Sequence, residues 1–332
     1  MQDFEDGKEF MLADLSEIPD DEYIGTPYVC GAISPLTEEE EKKYAGLPQH
    51  KETVSLMAFR ALQEYFGKEF YGVISTELGG GNTADAFHVA AQLGKVIVDA
   101  DPSGRSVREL QHTTYYINDV PITPLAVASQ FGDTAIINNV VNDFRAEALV
   151  RAMAVVSSNT IGVTDHPITG ANLKKCVIKG AISYALEIGK ALREAKENNI
   201  DVAKNIVKIG KGKMLFKGIV TSFSWDTIDG FTVGEAELDG CVGYEESKYK
   251  VWFKNENIIS WRDGKVDITV PDLICMVDKD GAPVTNPNYT NGMEISVFAL
   301  AAPKEWKTPR GIEVLGPKSF GFDVEYVPFE IV

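Results

Sequence analysis

An apolar run, a glycine-rich turn, a helix-like run and a second apolar run follow one another in the N-terminal third of the chain. The first apolar run, EFYGVIST at 69–76, is short and rich in β-branched residues, which is typical of a buried strand. TADAFHVAAQLG at 83–94 has Thr83 as a candidate N-cap and Gly94 as a stop, which indicates a helix. KVIVDAD at 95–101 again has the composition of a strand. Because strands joined through a helix run parallel with a right-handed crossover, this order commits the chain to an α/β domain.

The remaining sequence extends this domain and then changes in texture. Helical periodicity and strand composition recur before residue 200, and they predict a helix at 53–67, a strand at 133–140, a helix at 143–158 and a long helical segment at 171–199. Gly180 and Gly189 interrupt that last segment, which is either two helices or one that packs tightly. From residue 213 onwards, short alternating apolar runs are separated by Asp-Gly turns, which is typical of antiparallel strands.

These elements predict an α/β fold in two domains. The N-terminal domain, residues 1–165, is expected to hold a parallel or mixed sheet with flanking helices. The C-terminal domain, residues 166–332, is expected to begin with a helical connector at 166–199 and to continue as a β-rich part at 205–332. A chain of 332 residues suits such a division. Because ligands commonly bind where domains meet, we expect the functional site in a cleft between the two.

The charge balance narrows the classes of ligand. Lys and Arg number 32 against 49 Asp and Glu, which gives a formal net charge of −17. Because nucleic acids and anionic membrane surfaces both require neutralisation by basic side chains, we predict no nucleic-acid binding and no membrane binding. No apolar run approaches the roughly 18 residues of a membrane helix, and the acidic start of the chain does not resemble a secretory signal. We expect a cytoplasmic protein that forms a homo-oligomer and acts on a small molecule.

Acidic side chains follow both strands of the predicted βαβ unit. Glu77 comes directly after the first strand, and Asp99 and Asp101 close the second. Because parallel strands present their carboxyl ends at one edge of a sheet, where ligands bind, we expect these carboxylates to approach one pocket. The Asp-Ala-Asp sequence at a strand end is equally compatible with turn chemistry. Two carboxyl groups in one pocket push their pKa values apart, which would provide one acid and one base.

The glycine turn before the predicted helix allows two interpretations. Gly79, Gly80 and Gly81 either let the backbone and the first helical N–H groups approach a ligand, or merely let helix and strand pack closely. The turn lacks the lysine of a GxxxxGK[ST] loop and the spacing of GxGxxG, and Glu77 would repel a phosphate unless a metal intervened. We therefore favour a site that binds a ligand other than a phosphate.

The segment that follows the second strand adds further candidates. Arg105 or Arg108 can hold the carboxylate of a substrate or pair with the aspartates. Glu109 and His112 would share one face of a helix, and His112 is a base, a ligand or a structural histidine. His88 lies within the apolar pattern of the helix at 83–94 and is interpreted as a packing residue.

Two more candidates lie farther along the chain. Asp165 and His166 precede a predicted helix, either as its N-terminal turn or as a second element of the site. Asp272 follows a proline within an apolar run, which suggests an edge strand or a bend with the aspartate in a functional or capping position. The four cysteines form no CxxC pair and are interpreted as buried hydrophobes. Because no HxH or HExxH spacing occurs either, metal and cofactor stay unassigned.

Several segments carry a resemblance to a known family. They are ELGGGNT, VIVDADPSGRSVRELQ, HPITGA, NENIISW, VPDLICMVD and WKTPRGIEVLGPKSFGFDVEYVP. In this order they resemble the bacterial and fungal S-methyl thiohydantoin desulfurase-like family, whose members are associated with, or fused to, hydantoinase/oxoprolinase-type proteins. The resemblance runs from about residue 14 to the C-terminus. Family members usually carry an additional strand and a GTGGGG-like loop upstream, and a Gly-Met pair in place of Pro102-Ser103. Either the start of the gene is misassigned, or this member lacks an element that could belong to the family's site.

The resemblance implies a small five-membered ring substrate, either a hydantoin or a thiohydantoin. Hydrolytic removal of a methylthio group needs a base for water, an acid for the leaving group, and donors for the developing charge. The pocket expected from the residues themselves supplies candidates for these roles, with Glu77 or Asp99 as the base and Asp101 or Glu109 as the second carboxyl. The substrate-binding residues would be Gly79, Gly80, Gly81, Asn82, Arg105, His166 and Asp272.

The sequence thus favours a hydrolase-type enzyme that acts on a cyclic amide-like metabolite. One alternative is a non-catalytic subunit that partners a hydantoinase/oxoprolinase-type enzyme. Another is a protein that binds a small metabolite without converting it. Tight binding without turnover would identify the last of these, and co-purification with a partner would identify the accessory subunit.

Overall fold

A computed structural model describes residues 2–32 and 36–329 of the chain. The chain divides into two compact units, Met1–Ile182 and Ser183–Val332. The boundary expected from the sequence, between residues 165 and 166, falls within a strand of the first unit, Thr160–Thr169.

A mixed seven-stranded sheet forms the centre of the first unit. The described strands of this unit are β1 (Met11–Ala13), β2 (Tyr23–Gly31), β3 (Gly72–Val73), β4 (Val96–Val98), β5 (Ala100–Asp101), β6 (Leu125–Ala128), β7 (Thr134–Ile137), β8 (Thr160–Thr169) and β9 (Ile178–Lys179). Strands β5 and β9 form a separate two-stranded sheet. The order in the main sheet is β1-β4-β3-β2-β8-β6-β7. The pairs from β1 to β2 are parallel, and those from β2 to β7 are antiparallel. The predicted sheet with flanking helices is confirmed.

Helices cover both faces of this sheet. The described helices of the first unit are α1 (Gln2–Glu5), α2 (Glu38–Tyr44), α3 (Val54–Phe66), α4 (Gly80–Leu93), α5 (Thr114–Ile117), α6 (Asp143–Val155) and α7 (Gly170–Cys176). Leu125 and Val127 pack in the core formed with α6, whereas Ala126 between them packs in the core formed with α3 and α4. This alternation follows from the strand geometry, in which successive side chains point to opposite faces.

The predicted βαβ unit is present, with one correction at the helix start. Strands β3 and β4 pair in parallel, and α4 connects them. Thr83 is not the N-cap, because the helix begins three residues earlier with Gly79 in that position. The Thr83 hydroxyl instead donates to the carbonyl oxygen of Glu77 at 2.9 Å. Gly94 ends the helix in the left-handed conformation, as expected.

The long helical segment at 171–199 is two helices. Helix α7 ends at Cys176, and α8 spans Ala181–Glu197. Between them Gly180 has a φ of 74°, a conformation that glycine adopts without strain. Gly189 lies inside α8 and does not interrupt it.

The second unit contains a seven-stranded antiparallel sheet, as the alternating pattern predicts. The strands are β10 (Lys213–Ile228), β11 (Phe231–Gly240), β12 (Lys248–Lys254), β13 (Glu256–Arg262), β14 (Lys265–Thr269), β15 (Leu273–Asp278) and β16 (Glu294–Leu300), and the further helices are α9 (Val202–Gly210) and α10 (Pro309–Leu315). The strand order in the sheet is β14-β13-β12-β11-β10-β16-β15. Two of the Asp-Gly pairs have positive φ at both residues and close two-residue hairpins, at 229–230 and 263–264. Across the stretches that the structure describes, no helix is long and apolar enough to cross a membrane.

Candidate functional site

Glu77 is a buried carboxylate that ties three segments of the first unit together. Its Oε1 accepts a hydrogen bond from Asn82 Nδ2 at 2.7 Å, and its Oε2 accepts one from the backbone N–H of Val107 at 2.5 Å. The Asn82 amide also bonds both the N–H and the carbonyl of Val29 in β2. The geometry of Glu77 is therefore that of a group that positions the glycine turn against β2 and the segment around Val107.

The three glycines of the turn differ in what surrounds them. A Cβ on Gly79 would lie 2.9 Å from Glu77 Oε1, whereas a Cβ on Gly80 or Gly81 would meet no atom within 4 Å. Close packing thus accounts for Gly79 but not for the other two. Gly80 and Gly81 are exposed at the start of α4, where their N–H groups are available to a ligand.

Alanine substitutions separate these roles. We expect Gly79→Ala to lower the free energy of unfolding, because its Cβ collides with the Glu77 carboxylate. Gly80→Ala and Gly81→Ala should leave it unchanged or raise it by up to about 1 kcal/mol, since alanine favours a helix over glycine. Urea unfolding followed by far-ultraviolet circular dichroism measures this, and a large loss of stability in the last two variants would contradict it. A change of KM in those variants would then report on ligand contact.

Asp101 lies at the start of an irregular but buried segment, residues 101–114. Both of its carboxylate oxygens accept from the N–H of Gly104 at 2.8 Å. Burial raises the pKa of Asp101 well above its usual range, and the nearby charge of Glu77 raises it further. The charge of Glu77 therefore acts on Asp101, and burial favours the protonated form of Asp101.

A buried ion pair supports the same segment. Arg151 donates from Nε to Glu147 Oε1 at 2.9 Å, and its guanidinium also bonds the carbonyls of Gly31 and Arg108. Glu147 in turn accepts from the N–H of Leu110 at 3.0 Å. Because loops with buried polar groups need such partners, this pair is what allows the segment at 101–114 to be irregular and buried.

His166 lies on a β-bulge in the middle of the sheet. In the pairing of β8 with β2, Ile168 faces Ile24 and Asp165 faces Thr26, so that two residues of β8 stand opposite one residue of β2. The backbone of His166 has a φ of 43°, which is strained for a residue with a side chain. Bulges re-aim side chains and are enriched beside active sites.

Asp165 holds the His166 ring in a fixed orientation. Its Oδ1 lies 2.8 Å from His166 Nδ1, and its Oδ2 accepts from the hydroxyl of Tyr28 at 2.8 Å. The ring of Tyr115 stacks on the imidazole with 4.3 Å between the ring centroids. All four side chains are buried. In the neutral imidazole, a proton on Nδ1 can be donated to this carboxylate, and that tautomer leaves a lone pair on Nε2.

The second ring nitrogen of His166 has no hydrogen-bond partner in the part of the chain that the structure describes, although it is buried. The same holds for the hydroxyl of Thr164 on β8 and of Thr114 at the start of α5. Unsatisfied buried polar atoms are rare in folded proteins and are typical of functional sites. An imidazole held at Nδ1 by a carboxylate, with Nε2 unused, is the arrangement of a general base.

The remaining predicted residues of the first unit, Asp99, Glu109 and Arg105, form hydrogen bonds within the protein. The backbone of Asp99 forms two hydrogen bonds: its N–H donates to the carbonyl of Ala13, and its carbonyl accepts from the N–H of Gly180. The carboxylate of Glu109 accepts from Arg108 Nε at 2.7 Å, and Arg105 is buried with Nε donating to the carbonyl of Ser106. The catalytic and binding roles expected of these residues stay predictions.

Asp272 belongs to the second unit. One of its oxygens accepts from the N–H of Ala302 at 2.8 Å, and the other accepts from the hydroxyl of Tyr326 at 3.0 Å. It is buried directly after a proline in the turn that leads into β15. These bonds give it a structural function within that unit, and a binding function stays a prediction.

The other histidines and the cysteines do not form a reactive cluster. His88 contacts the carboxylate of Asp3 at 2.8 Å, and His112 is buried with its carbonyl accepting from Ser103. Burial raises the pKa of Cys30 and of Cys176 to about 12, which keeps both as thiols. Within residues 2–32 and 36–329, no group of three or more His, Cys, Asp and Glu side chains is placed to hold a metal ion.

Sequence reasoning missed the supports of His166. Tyr28 reaches Asp165 from 137 positions away, and nothing in the local pattern around either residue indicates this contact. The available signal is the Asp-His dipeptide itself, which the sequence indicates as either the N-terminal turn of a helix or a second element of the site.

Comparisons with known proteins bear on the whole chain. Residues 1–139 match the model of the S-Me-THD-like N-terminal domain, and residues 141–329 match that of the S-Me-THD-like C-terminal domain. Among solved structures, a crystal structure of a protein from Chromobacterium violaceum is similar, with a TM-score of 0.75 and 21% sequence identity. The match covers 97% of this chain and 88% of that one. At this identity the similarity concerns the fold alone. A comparison with curated proteins found no match.

Proposed function

Because the chain belongs to the S-Me-THD-like family, we propose that it is an enzyme that hydrolyses a small cyclic amide-like metabolite. The substrate class is S-methyl thiohydantoin or a related thiohydantoin or hydantoin ring. The observation that carries the proposal is the buried Asp165–His166 pair, whose Nε2 atom is held in the orientation of a general base.

The reaction that fits this pair is hydrolysis at the amidine-like carbon of the ring. His166 Nε2 takes a proton from water while the water oxygen bonds to that carbon. Collapse of the tetrahedral intermediate then breaks the carbon–sulfur bond. The ring becomes a hydantoin, and the sulfur leaves as methanethiol after it gains a proton. One water is consumed for each methanethiol released.

Asp165 and Tyr28 position the base and stabilise it once it is protonated. The carboxylate faces Nδ1, so that the positive charge of the imidazolium forms beside a negative group. The Tyr28 hydroxyl fixes the other carboxylate oxygen. Burial raises the pKa of Tyr28 well above its usual range, and the charge of Asp165 adds to this, so the tyrosine remains a donor.

The glycine turn is proposed to bind the substrate. The N–H groups of Gly80, Gly81 and Asn82 at the start of α4 would stabilise negative charge on the ring. Glu77 and Asp101 act mainly by holding the surrounding segments in place, since the oxygens of both accept backbone or amide hydrogen bonds. A hydantoinase/oxoprolinase-type partner and self-association stay predictions.

The proposal is tested with the purified protein and a panel of S-methyl thiohydantoins, thiohydantoins and hydantoins. Conversion of the ring is measured by its ultraviolet absorbance, and the released methanethiol or sulfide is quantified with a thiol reagent. We expect release of one thiol per ring converted from at least one S-methyl compound. Tight binding by calorimetry without any turnover would contradict the enzyme and favour a binding protein.

A further inference from the structure

Asp143 is a buried carboxyl group without an evident structural purpose. It is the first residue of α6, only 7% of its surface is exposed, and its Oδ2 has no hydrogen-bond partner in the described parts of the chain. The capping function at this helix end is already performed by Asn142, whose side chain accepts from the N–H of Arg145 at 2.9 Å. The carboxyl of Asp143 is therefore not needed to begin the helix.

The surroundings of Asp143 connect it to the His166 base. Helix α6 packs against β2 and β8, so Asp143 lies on an element that adjoins the Asp165–His166 pair of β8, and the negative charge of Asp165 acts on it. On its own helix the charged neighbours are the exposed Arg145 and Glu147, which is engaged by Arg151. The residues on either side of Asp143 are exposed, so this buried carboxyl lies directly beneath the protein surface.

We propose that Asp143 is the acid that protonates the leaving thiolate in the reaction for which His166 is the base. This inference rests on the proposed function. His166 receives the proton of the attacking water, and Asp143 transfers its own proton to sulfur as the carbon–sulfur bond breaks. Methanethiol departs, and the proton that His166 gained returns Asp143 to its acid form, so that protons balance over one cycle.

The electrostatic environment supports a protonated carboxyl at this position. Burial raises the pKa of Asp143 to about 6, and the charge of Asp165 adds to this rise. His166 lowers the pKa of Asp143 only in its protonated form, which arises once the base has taken the proton of water. Sites of acid–base catalysis commonly pair a base with a group whose pKa is displaced in this way. Because the donor must carry its proton, activity that depends on Asp143 is lost as the pH rises through about 6.

The test compares two substrates that differ in their need for an acid. S-methyl thiohydantoin releases a strongly basic thiolate, whereas the S-(2,2,2-trifluoroethyl) analogue is nearly as small and releases a weakly basic one. For Asp143→Asn we expect kcat with the S-methyl compound to fall by ~10²-fold or more, and kcat with the fluorinated compound to fall by less than about tenfold. Asp143→Glu should recover part of the loss. In the wild type, the fall of activity with rising pH should appear with the S-methyl substrate and be weak with the fluorinated one.

The outcomes separate this inference from the proposed function. Equal losses on both substrates, or none on either, would overturn the role of Asp143 while the wild-type activity stands. His166→Asn serves as the comparison, because loss of the base should impair both substrates alike. If the wild type releases thiol from neither compound, the proposed function fails and the donor role fails with it. A helix that is merely loosened by the substitution would not discriminate between leaving groups.

Discussion

Replacing His166 by asparagine is expected to lower kcat for S-methyl thiohydantoin by ~10²–10⁴-fold, which is the usual contribution of a general base. Asparagine is the appropriate substitution for two physical reasons. It tolerates the positive φ of 43° at this position better than most residues. Its side-chain NH₂ group can also still donate to Asp165, so that the bulge keeps its hydrogen bond while the basic nitrogen is lost. Initial rates of thiol release measure the effect.

The neighbours of His166 provide a graded control. Asp165→Asn should reduce kcat less than His166→Asn, because the base remains but loses its orientation and its counter-charge. Tyr28→Phe should reduce kcat least, since the substitution removes only the hydroxyl that donates to Oδ2 of Asp165. The kcat values are compared only among variants whose circular dichroism spectra match that of the wild type, which shows that they are folded. Full turnover by folded His166→Asn would contradict the assignment of the base.

Replacing Arg151 by alanine is expected to lower the free energy of unfolding by about 3–5 kcal/mol, because it leaves a buried Glu147 without its counter-ion. The two side chains are only 10% and 9% exposed. The carbonyls of Gly31 and Arg108 lose the same donor. All four tryptophans of the chain lie in the second unit. Unfolding of the first unit should therefore be followed by circular dichroism or hydrogen exchange and not by tryptophan fluorescence.

A surface ion pair of the first unit is the matched control. Arg60 and Glu52 lie 3.3 Å apart with side chains 52% and 39% exposed, so Arg60→Ala should cost no more than about 1 kcal/mol. Adding Glu147→Gln to Arg151→Ala should recover part of the loss, because it removes the unpaired charge. Equal effects of Arg151→Ala and Arg60→Ala would contradict the account of the buried pair.

The sequence was sufficient for elements whose pattern is local. The βαβ unit at β3, α4 and β4 combines β-branched strands, a helical period and glycine stops within thirty residues, so local signals agreed with the fold. Helix α6 and the hairpins of the second unit were predictable for the same reason. The N-cap at Gly79 was not predictable from the sequence, because Thr83 is a better capping residue by type. In the structure the Thr83 hydroxyl instead donates to the carbonyl of Glu77.

The two strands that carry the proposed site could not be predicted from local patterns. Strands β2 and β8 lie inside the sheet, yet each contains a proline, Pro27 and Pro167, which argues against an interior strand. Their pairing joins residues between 129 positions (Gly31 and Thr160) and 146 positions (Tyr23 and Thr169) apart. Local rules fail at functional sites more than elsewhere, because strained and polar residues there serve chemistry and not folding. The bulge at His166 is strained and polar in this way, which agrees with the proposed site.

The most direct measurement compares the wild type, His166→Asn and Glu77→Gln in one assay of methanethiol release from S-methyl thiohydantoin, with rates expressed per folded molecule. Glu77→Gln should lower the free energy of unfolding by about 1–3 kcal/mol. The carboxylate accepts from the Asn82 amide and from the Val107 N–H, and the single oxygen of glutamine can replace only one of these two acceptors. We predict that its folded fraction still turns over, whereas His166→Asn is nearly silent. An active His166→Asn beside a silent Glu77→Gln would contradict the account and place the catalytic base at the end of β3.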